Sequence, residues 1–325
     1  MLILQKTRHR LFPITLPLLL NNMLCCSASS DASKVKECSL PSTLTSPPIK
    51  SVVEPGECQF NESFTAVPLL ANIPVSSTSF VVRFGLPDKN KGLGLSTCAC
   101  ILAGVKVHDG DGNDDNMVIR PYTPISTNED KGTFDLLIKK YPDGKMSTFL
   151  SELKPSSTPV VSFKHIPFNV KIQYPFKSAK HIIMIAGGTG ITPMIQALHA
   201  ILGEDPSSRS TEKVTLLYGS RNADDILGED MLNHWASTHR DIFSVTHVLS
   251  NEEKDSNAIS SRKDVKLGFI NRELIESLPG PNEDVMIFVC GPPPMYKALC
   301  GDRDKKELSG LLAEMGYKED QVYKF

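Results

Sequence analysis

The sequence predicts a two-domain α+β protein: an antiparallel β-barrel followed by an α/β domain with a parallel sheet. Three observations predict it. The chain has 325 residues, which suits two domains at roughly 150 residues each. From about Phe60 to Phe176, short β-branched or aromatic runs alternate with turn residues. After Lys180, continuous apolar runs alternate with stretches of helical period, the pattern of a parallel sheet with helices on its faces.

In the first domain, Ser79–Phe84, Met117–Ile119 and Phe134–Ile138 read as strands. Asp109-Gly110-Asp111-Gly112-Asn113 and Pro142-Asp143-Gly144 read as turns. In the second, His181–Ala186, Val214–Tyr218, Phe243–Leu249 and Val285–Cys290 read as strands. A helix follows the first of these, with Ile191, Met194, Ile195, Leu198, Ile201 and Leu202 on its apolar side. The last helix runs through Leu308, Leu311, Leu312 and Met315 and stops at Gly316. The expected division is 57–177 for the barrel and 178–325 for the α/β domain.

Ahead of both lie two segments without a core pattern. Residues 1–30 carry Lys6, Arg8 and Arg10, then a short apolar run from Leu11 to Leu20 broken by Pro13 and Pro17, then small residues from Cys25 to Ser30. That order fits a signal peptide, an organellar presequence or a short membrane anchor. The run is short for a spanning helix, which needs about 20 apolar residues. Residues 31–56 are rich in Ser, Pro, Thr and Lys and read as a linker.

Composition excludes several functions. Net charge is -2 and no Lys/Arg block follows residue 10, so nucleic acid is not an expected partner. The eight cysteines include no Cys-x2-Cys pair, so neither an iron–sulfur cluster nor another metal is expected.

Four segments carry chemistry. Gly187-Gly188-Thr189-Gly190 joins an apolar strand to a helix, with Thr192 as the expected N-cap and Pro193 at the first helical position. Free amides at such a helix start favour a phosphate, and glycines let it approach the backbone. In Arg120-Pro121-Tyr122-Thr123, followed by Ser126, the guanidinium suits a diphosphate oxygen, the phenol suits stacking on a flat ring, and the Thr hydroxyl reaches a ring nitrogen. Leu137-Ile138-Lys139 leads to Gly144-Lys145-Met146-Ser147, where a helix from Met146 to Leu153 opens on a second anion site. Cys290-Gly291-Pro292-Pro293-Pro294-Met295 ends the last apolar strand as a stiff wall, with Cys290 facing the cleft where parallel sheets bind ligands. Read singly, each is a turn; the order and spacing give them meaning together.

Together these segments resemble the ferredoxin-reductase-type flavoenzymes, and most closely the NADH-cytochrome b5 reductase family. The resemblance covers about residues 60–325. It implies an FAD-binding barrel and an NAD-binding α/β domain. It implies FAD on Arg120, Pro121, Tyr122, Thr123, Leu137, Lys139, Gly144, Lys145, Met146 and Ser147. It implies NADH over Gly187, Gly188, Thr189, Gly190, Thr192 and Pro193, and against Cys290, Gly291, Pro292 and Met295. Thr123 and Cys290 are the implied catalytic residues, and an aromatic C-terminal residue, Phe325, lies near the flavin. The implied reaction takes a hydride from NADH to FAD and passes single electrons to a cytochrome b5-like haem protein. In the family, an acid on the third strand of the nucleotide domain favours NADH; Ser250 stands there, Glu252 or Glu253 are its substitutes, and Arg221 can meet a 2′-phosphate, so NADPH stays open. The alternatives are an NADPH-preferring reductase with another acceptor and a nucleotide-binding module without turnover. The tail and Leu95–Ile101 resemble the mitochondrial members, which points the N-terminus to the membrane surface of the mitochondrion (outer membrane), ahead of the endoplasmic reticulum.

Overall fold

The computed structural model describes residues 42–108, 115–167, 172–176, 179–253, 256 and 259–325. The expected segment 1–30, the first part of the 31–56 stretch and the turn at 109–113 lie outside the described residues.

The first sheet contains β1 (Thr65–Pro74), β2 (Ser79–Gly85), β3 (Ile101–His108), β4 (Asp115–Tyr122), β5 (Thr133–Lys139) and β6 (Ser156–Lys164). All pairings are antiparallel, in the order β4-β3-β6-β1-β2-β5. The sheet curls as a half-barrel around aromatic side chains. Phe84, Phe134 and Phe163 sit with centroids 4.9–5.5 Å apart, and Phe60 packs on the last two at 5.7 Å. Each such pair adds about 1 kcal/mol to the burial itself. Helix α1 (Lys145–Glu152) closes one end with Met146 and Leu150.

The second sheet is parallel, in the order β10-β9-β8-β7-β11-β12. Its strands are β7 (His181–Gly187), β8 (Lys213–Ser220), β9 (Phe243–Leu249), β10 (Val265–Leu267), β11 (Val285–Cys290) and β12 (Val322–Lys324). The helices are α2 (Ile191–Leu202), α3 (Glu229–Thr238), α4 (Arg272–Glu276), α5 (Pro293–Leu299) and α6 (Gly310–Glu314). Six of the seven residues of β7 are buried, as strands covered on both faces require. In α2 only Gln196 escapes burial. Val81 of β2, Ile125 of the loop after β4 and Leu137 of β5 share one apolar cluster with Met184 of β7 and Met194 and Leu198 of α2, so the two halves form one continuous body.

Two expectations need correction. The last helix is shorter than its apolar spacing suggests: Gly310 has φ +72°, so the chain turns there and Leu308 lies outside α6. The 31–56 stretch is not a loose linker from Ser42 onward. Thr43 Oγ1 donates to Asp135 Oδ2 at 3.0 Å, on β5. Leu44 is buried in the shared core. Trp235 Nε1 of α3 donates to Ser46 O at 3.1 Å, and Ile49 N donates to His199 Nδ1 of α2 at 3.1 Å. Asn128 N and Nδ2 donate to Ser51 Oγ and O. This strap therefore grips both sheets.

Candidate active site

The two sheets meet at a cleft of about 910 Å³. Its antiparallel wall carries Arg120, Pro121, Tyr122, Thr123, Leu137, Lys139, Gly144, Lys145, Met146 and Ser147. Its parallel wall carries Gly187, Thr189, Gly190, Thr192, Pro193, Cys290, Gly291 and Pro292, and Phe325 joins them from the C-terminus. Four segments scattered over the sequence therefore converge on one space. Gly188 lies within the turn between Gly187 and Thr189, and Met295 packs behind Gly187 and Gly291. A Cβ on Gly188 would meet nothing nearer than the Tyr141 hydroxyl at 4.0 Å, and Met295 Sδ lies 2.8 Å from where a Cβ on Gly187 would stand.

On the antiparallel wall, β4 delivers Arg120 and Tyr122. Arg120 is exposed, with Nη1 donating to Ile119 O at 2.7 Å. Burial pushes the Tyr122 phenol up to about 12, so it remains a hydrogen-bond donor at neutral pH. Gln196 of α2 donates to both Pro124 O and Ser126 O at 2.7 Å, which pins the loop after Thr123 against the other half. Helix α1 starts at Lys145, one residue before the expected start, with Gly144 as N-cap. Ser147 Oγ donates to Gly144 O at 3.1 Å and accepts from Tyr141 N at 3.2 Å. The hydroxyl thus closes the turn, and anion binding falls to the first-turn amides.

The parallel wall is made of backbone. Gly188–Gly190 form a short 3-10 turn, so α2 begins at Ile191 with Gly190 as N-cap. Thr192 is therefore not the N-cap; its hydroxyl turns back to Thr189 O at 3.2 Å. Pro193 occupies the third helical position, where its missing N–H costs no helical bond. Gly190 packs against the β11 end so closely that a Cβ would stand 2.1 Å from Cys290 O. Tyr218 OH donates to Gly188 O at 3.0 Å and steadies the turn.

Cys290 is half-buried on the cleft, and burial pushes its thiol up to about 11. It keeps its proton and is no nucleophile at neutral pH. Phe325 packs on Phe288 and Tyr323 at 5.6 and 4.6 Å, and its main-chain oxygen accepts from Tyr296 OH and Arg303 Nε. Lys139 lines the cleft and also carries an ion pair. Its Nζ lies 2.7 Å from Asp225 Oδ1, and Asp225 Oδ2 also accepts from Arg221 Nε at 2.8 Å. Burial works to raise the Asp225 carboxyl, but hydrogen bonds from the two cations hold it below the usual range.

Sequence reasoning missed Cys98, Cys100, Tyr141, Ile172, Arg303 and Tyr323 on the lining. Tyr141 is signalled by its place before the Pro142-Asp143-Gly144 turn; Arg303 carries no local signal. The five described cysteines, Cys58, Cys98, Cys100, Cys290 and Cys300, are free thiols.

The residues suit a flavin nucleotide and a pyridine nucleotide facing each other. The open side of Gly188, at φ +54°, is a cradle that a side chain would fill. Arg120 and the α1 amides supply anion donors on the other wall, and Tyr122 supplies an aromatic face.

Comparison with known proteins gives the same pairing. Residues 66–164 match the oxidoreductase FAD-binding domain family, and residues 184–301 match the oxidoreductase NAD-binding domain family. The chain is 38% identical over 262 residues to NADH-cytochrome b5 reductase 2 of Scheffersomyces stipitis, covering 79% of this chain and 82% of that one. It is 40% identical to the protein of the same name from Meyerozyma guilliermondii, over 77% of this chain and 81% of that one. Its fold superposes on the cytochrome b5 reductase domain of Ulva prolifera nitrate reductase with a TM-score of 0.66 at 28% identity, covering 86% of this chain and 100% of that domain. With both cofactor domains present in order and identity of this level across most of its length, the chain belongs to the NADH-cytochrome b5 reductase family, a group of FAD-dependent NADH oxidoreductases.

Proposed function

We propose that the protein takes reducing equivalents from NADH as a hydride and hands them on as single electrons to a cytochrome b5-like haem protein. The observation that carries this reading is the convergence of the four segments on one cleft. The names of the relatives support the choice of acceptor. FAD, when bound, supplies the chemistry that converts a two-electron donor into one-electron steps.

The chain's own residues bind and orient. Arg120 and the amides at the start of α1 hold the flavin diphosphate, with Lys145 beside them. Tyr122, Thr123 and Leu137 line the bed of the ring system. The amides after Gly187 receive the diphosphate of NADH. Cys290, Gly291 and Pro292 form the wall for the nicotinamide, with Met295 packed behind it. The Cys290 thiol holds its proton at Sγ, so that wall sets no negative charge against the departing hydride.

The purified protein should be yellow and release FAD, and anaerobic NADH should bleach it. Added cytochrome b5 should then be reduced catalytically. A colourless, folded protein that takes up no FAD would end the reading. Cys290→Ser should keep FAD and slow flavin reduction; an unchanged stopped-flow rate would make Cys290 a packing residue only.

The same proposal puts the N-terminus at a mitochondrial outer membrane, with the endoplasmic reticulum second. The basic, then apolar, then small-residue order of residues 1–30 supports it. Among the described residues, no helix is long and apolar enough to cross a membrane. Residues 1–41 fused to a fluorescent protein should fractionate with mitochondrial membranes. A diffuse cytosolic signal would refute targeting.

A further inference from the structure

Helix α5 springs directly from the Cys290–Pro292 wall, and its fourth residue, Tyr296, reaches back to the end of β11. The ring lines the cleft and is 2% exposed. Its hydroxyl lies 2.6 Å from Phe325 O and 3.3 Å from Val289 O. A phenol has one proton to donate, so the shorter contact takes it and Phe325 O is the acceptor. Phe325 N donates in turn to Val289 O at 3.1 Å. The main chain of Phe325 is therefore held at both ends to the β11 tip: its nitrogen by Val289, the residue before Cys290, and its oxygen by Tyr296.

The rest of the tail is clasped as well. Lys324 Nζ donates to the carbonyls of Asp302, Lys305 and Glu307 at 3.1, 2.9 and 2.9 Å. The same loop delivers Arg303, whose Nε donates to Phe325 O beside the phenol. Arg303 is exposed, whereas Tyr296 is enclosed. Water readily replaces an exposed donor, so the phenol is the more rigid of the two holds. The Phe325 ring packs on Phe288 and Tyr323, so fixing its main chain also fixes the ring. Burial, with the nearby Cys290 thiol, pushes the Tyr296 phenol far above its ordinary value, so the bridge keeps its proton at neutral pH.

We propose that Tyr296 is a positioning residue for hydride transfer: its hydroxyl locks Phe325 to the strand end that carries Cys290, and so fixes the gap between the nicotinamide wall and the Phe325 ring. Both sides of that gap line the cleft. The inference rests on the proposed function above and adds to it a residue that acts through its neighbours. Without the hydroxyl, Phe325 keeps its amide bond to Val289 and the exposed guanidinium, and its ring gains play. A misplacement of about 1 Å at a reacting centre costs up to about 100-fold in rate.

Tyr296→Phe removes the hydroxyl and keeps the ring. In the FAD-loaded protein without NADH, hydrogen exchange read by mass spectrometry should rise about fivefold in a peptide ending at Phe325, the scale of one lost hydrogen bond, and stay unchanged across β7. Stopped-flow reduction by NADH should show a limiting rate about tenfold lower, with the NADH dissociation constant within about twofold, because the gap governs geometry rather than grip. A residue that merely stabilised the fold would lower FAD content or melting temperature and leave that split unmoved. Unchanged exchange or an unchanged limiting rate overturns the inference. Phe325→Ala supplies a second measurement: in that background Tyr296→Phe should have less than about twofold further effect, since both act through one ring. A loss as large as in the Phe325 background places the effect of the phenol elsewhere and also overturns the inference. If NADH does not reduce the flavin of the unsubstituted protein, the proposed function falls; if it does, and Tyr296→Phe matches it, only this inference falls.

Discussion

The two walls of the cleft are made of different materials. The antiparallel wall presents side chains: a guanidinium at Arg120, a phenol at Tyr122, a hydroxyl at Thr123. The parallel wall presents backbone: the Gly187–Gly190 turn lies against Cys290 and Gly291 with no room for a methyl group at Gly190. The difference teaches where tolerance lies. A side-chain wall loses affinity when it is changed; a backbone wall loses its shape. Below the surface the halves are alike in one respect: the parallel half buries the imidazoles of His199 and His247, and the antiparallel half buries that of His165.

Acid should have the largest effect, and it reaches both halves, since burial lowers His165 of the antiparallel half as well. Burial lowers His199 to about 4, and its Nδ1 must stay unprotonated to accept from Ile49 N. Burial, helped by the nearby Arg262, lowers His247 to about 4. The unfolded chain protonates both near pH 6.5, whereas the native chain does so only near pH 4. Stability is therefore full above pH 6.5 and is lost as pH falls toward 4, by up to about 1.4 kcal/mol per pH unit for each imidazole. Trp235, whose ring packs 4.9 Å from His199, reports the change. Urea melts followed by its fluorescence should show a steep fall in this window, shallower by one proton in His199→Gln. A flat profile would show that the buried imidazoles do not govern stability in acid.

Gly190→Ala comes next. Its methyl group would overlap Cys290 O, with backbone on both sides of the clash, and should cost about 3 kcal/mol of stability. An unchanged melting temperature would show that the backbone wall yields. Arg120→Ala tests the other material. FAD binding should weaken by about 1.5–3 kcal/mol, the scale of a charged hydrogen bond, with the FAD-free protein melting as before. Flavin fluorescence titration measures it, and unaltered binding would remove Arg120 from the site. Gly188→Ala should be mildest. Its φ of +54° is awkward for alanine but its Cβ has space, so about 1 kcal/mol is expected. A loss as large as that of Gly190→Ala would mean that conformation, not contact, governs this wall.

Much of the fold was legible because strands buried on both faces announce themselves. Val285–Cys290 is bounded by its unbroken apolar text alone, and the structure gives the same limits; Phe243–Leu249, though interrupted by Ser244, Thr246 and His247, also keeps its expected limits. What failed depends on context. Thr192 has the right chemistry for an N-cap, but the Gly188–Gly190 turn starts the helical path earlier and leaves it inside the first turn. Leu308 keeps the apolar spacing of a helix that Gly310 has already interrupted. Lys139, which the resemblance places at the flavin, does line the cleft, but its ion-pair partner Asp225 lies 86 positions away, where no pattern points to it. The motifs that converge on the cleft are visible because each is a run of residue types with a known chemistry; Cys98–Cys100 and Arg303 with Asp304 reach it without such a pattern. The strap from Ser42 was invisible for a related reason. It is held by isolated anchors and backbone bonds, which leave no periodicity.

That strap also decides how mechanical load enters the molecule. A pull on the chain before Ser42 is delivered first to Thr43 and Leu44, hence to β5 of one sheet and the core beneath α3 of the other. Neither half takes the strain alone. A tether that ended at one sheet would swing the halves apart under tension and change the gap between their walls. This one draws on both at once, and its further bonds at Ser46, Ile49 and Ser51 would have to peel in sequence before the cleft felt the force. Trimming the N-terminus before residue 42 should therefore leave an intact body, whereas trimming to residue 57 removes the brace that keeps the two walls in register.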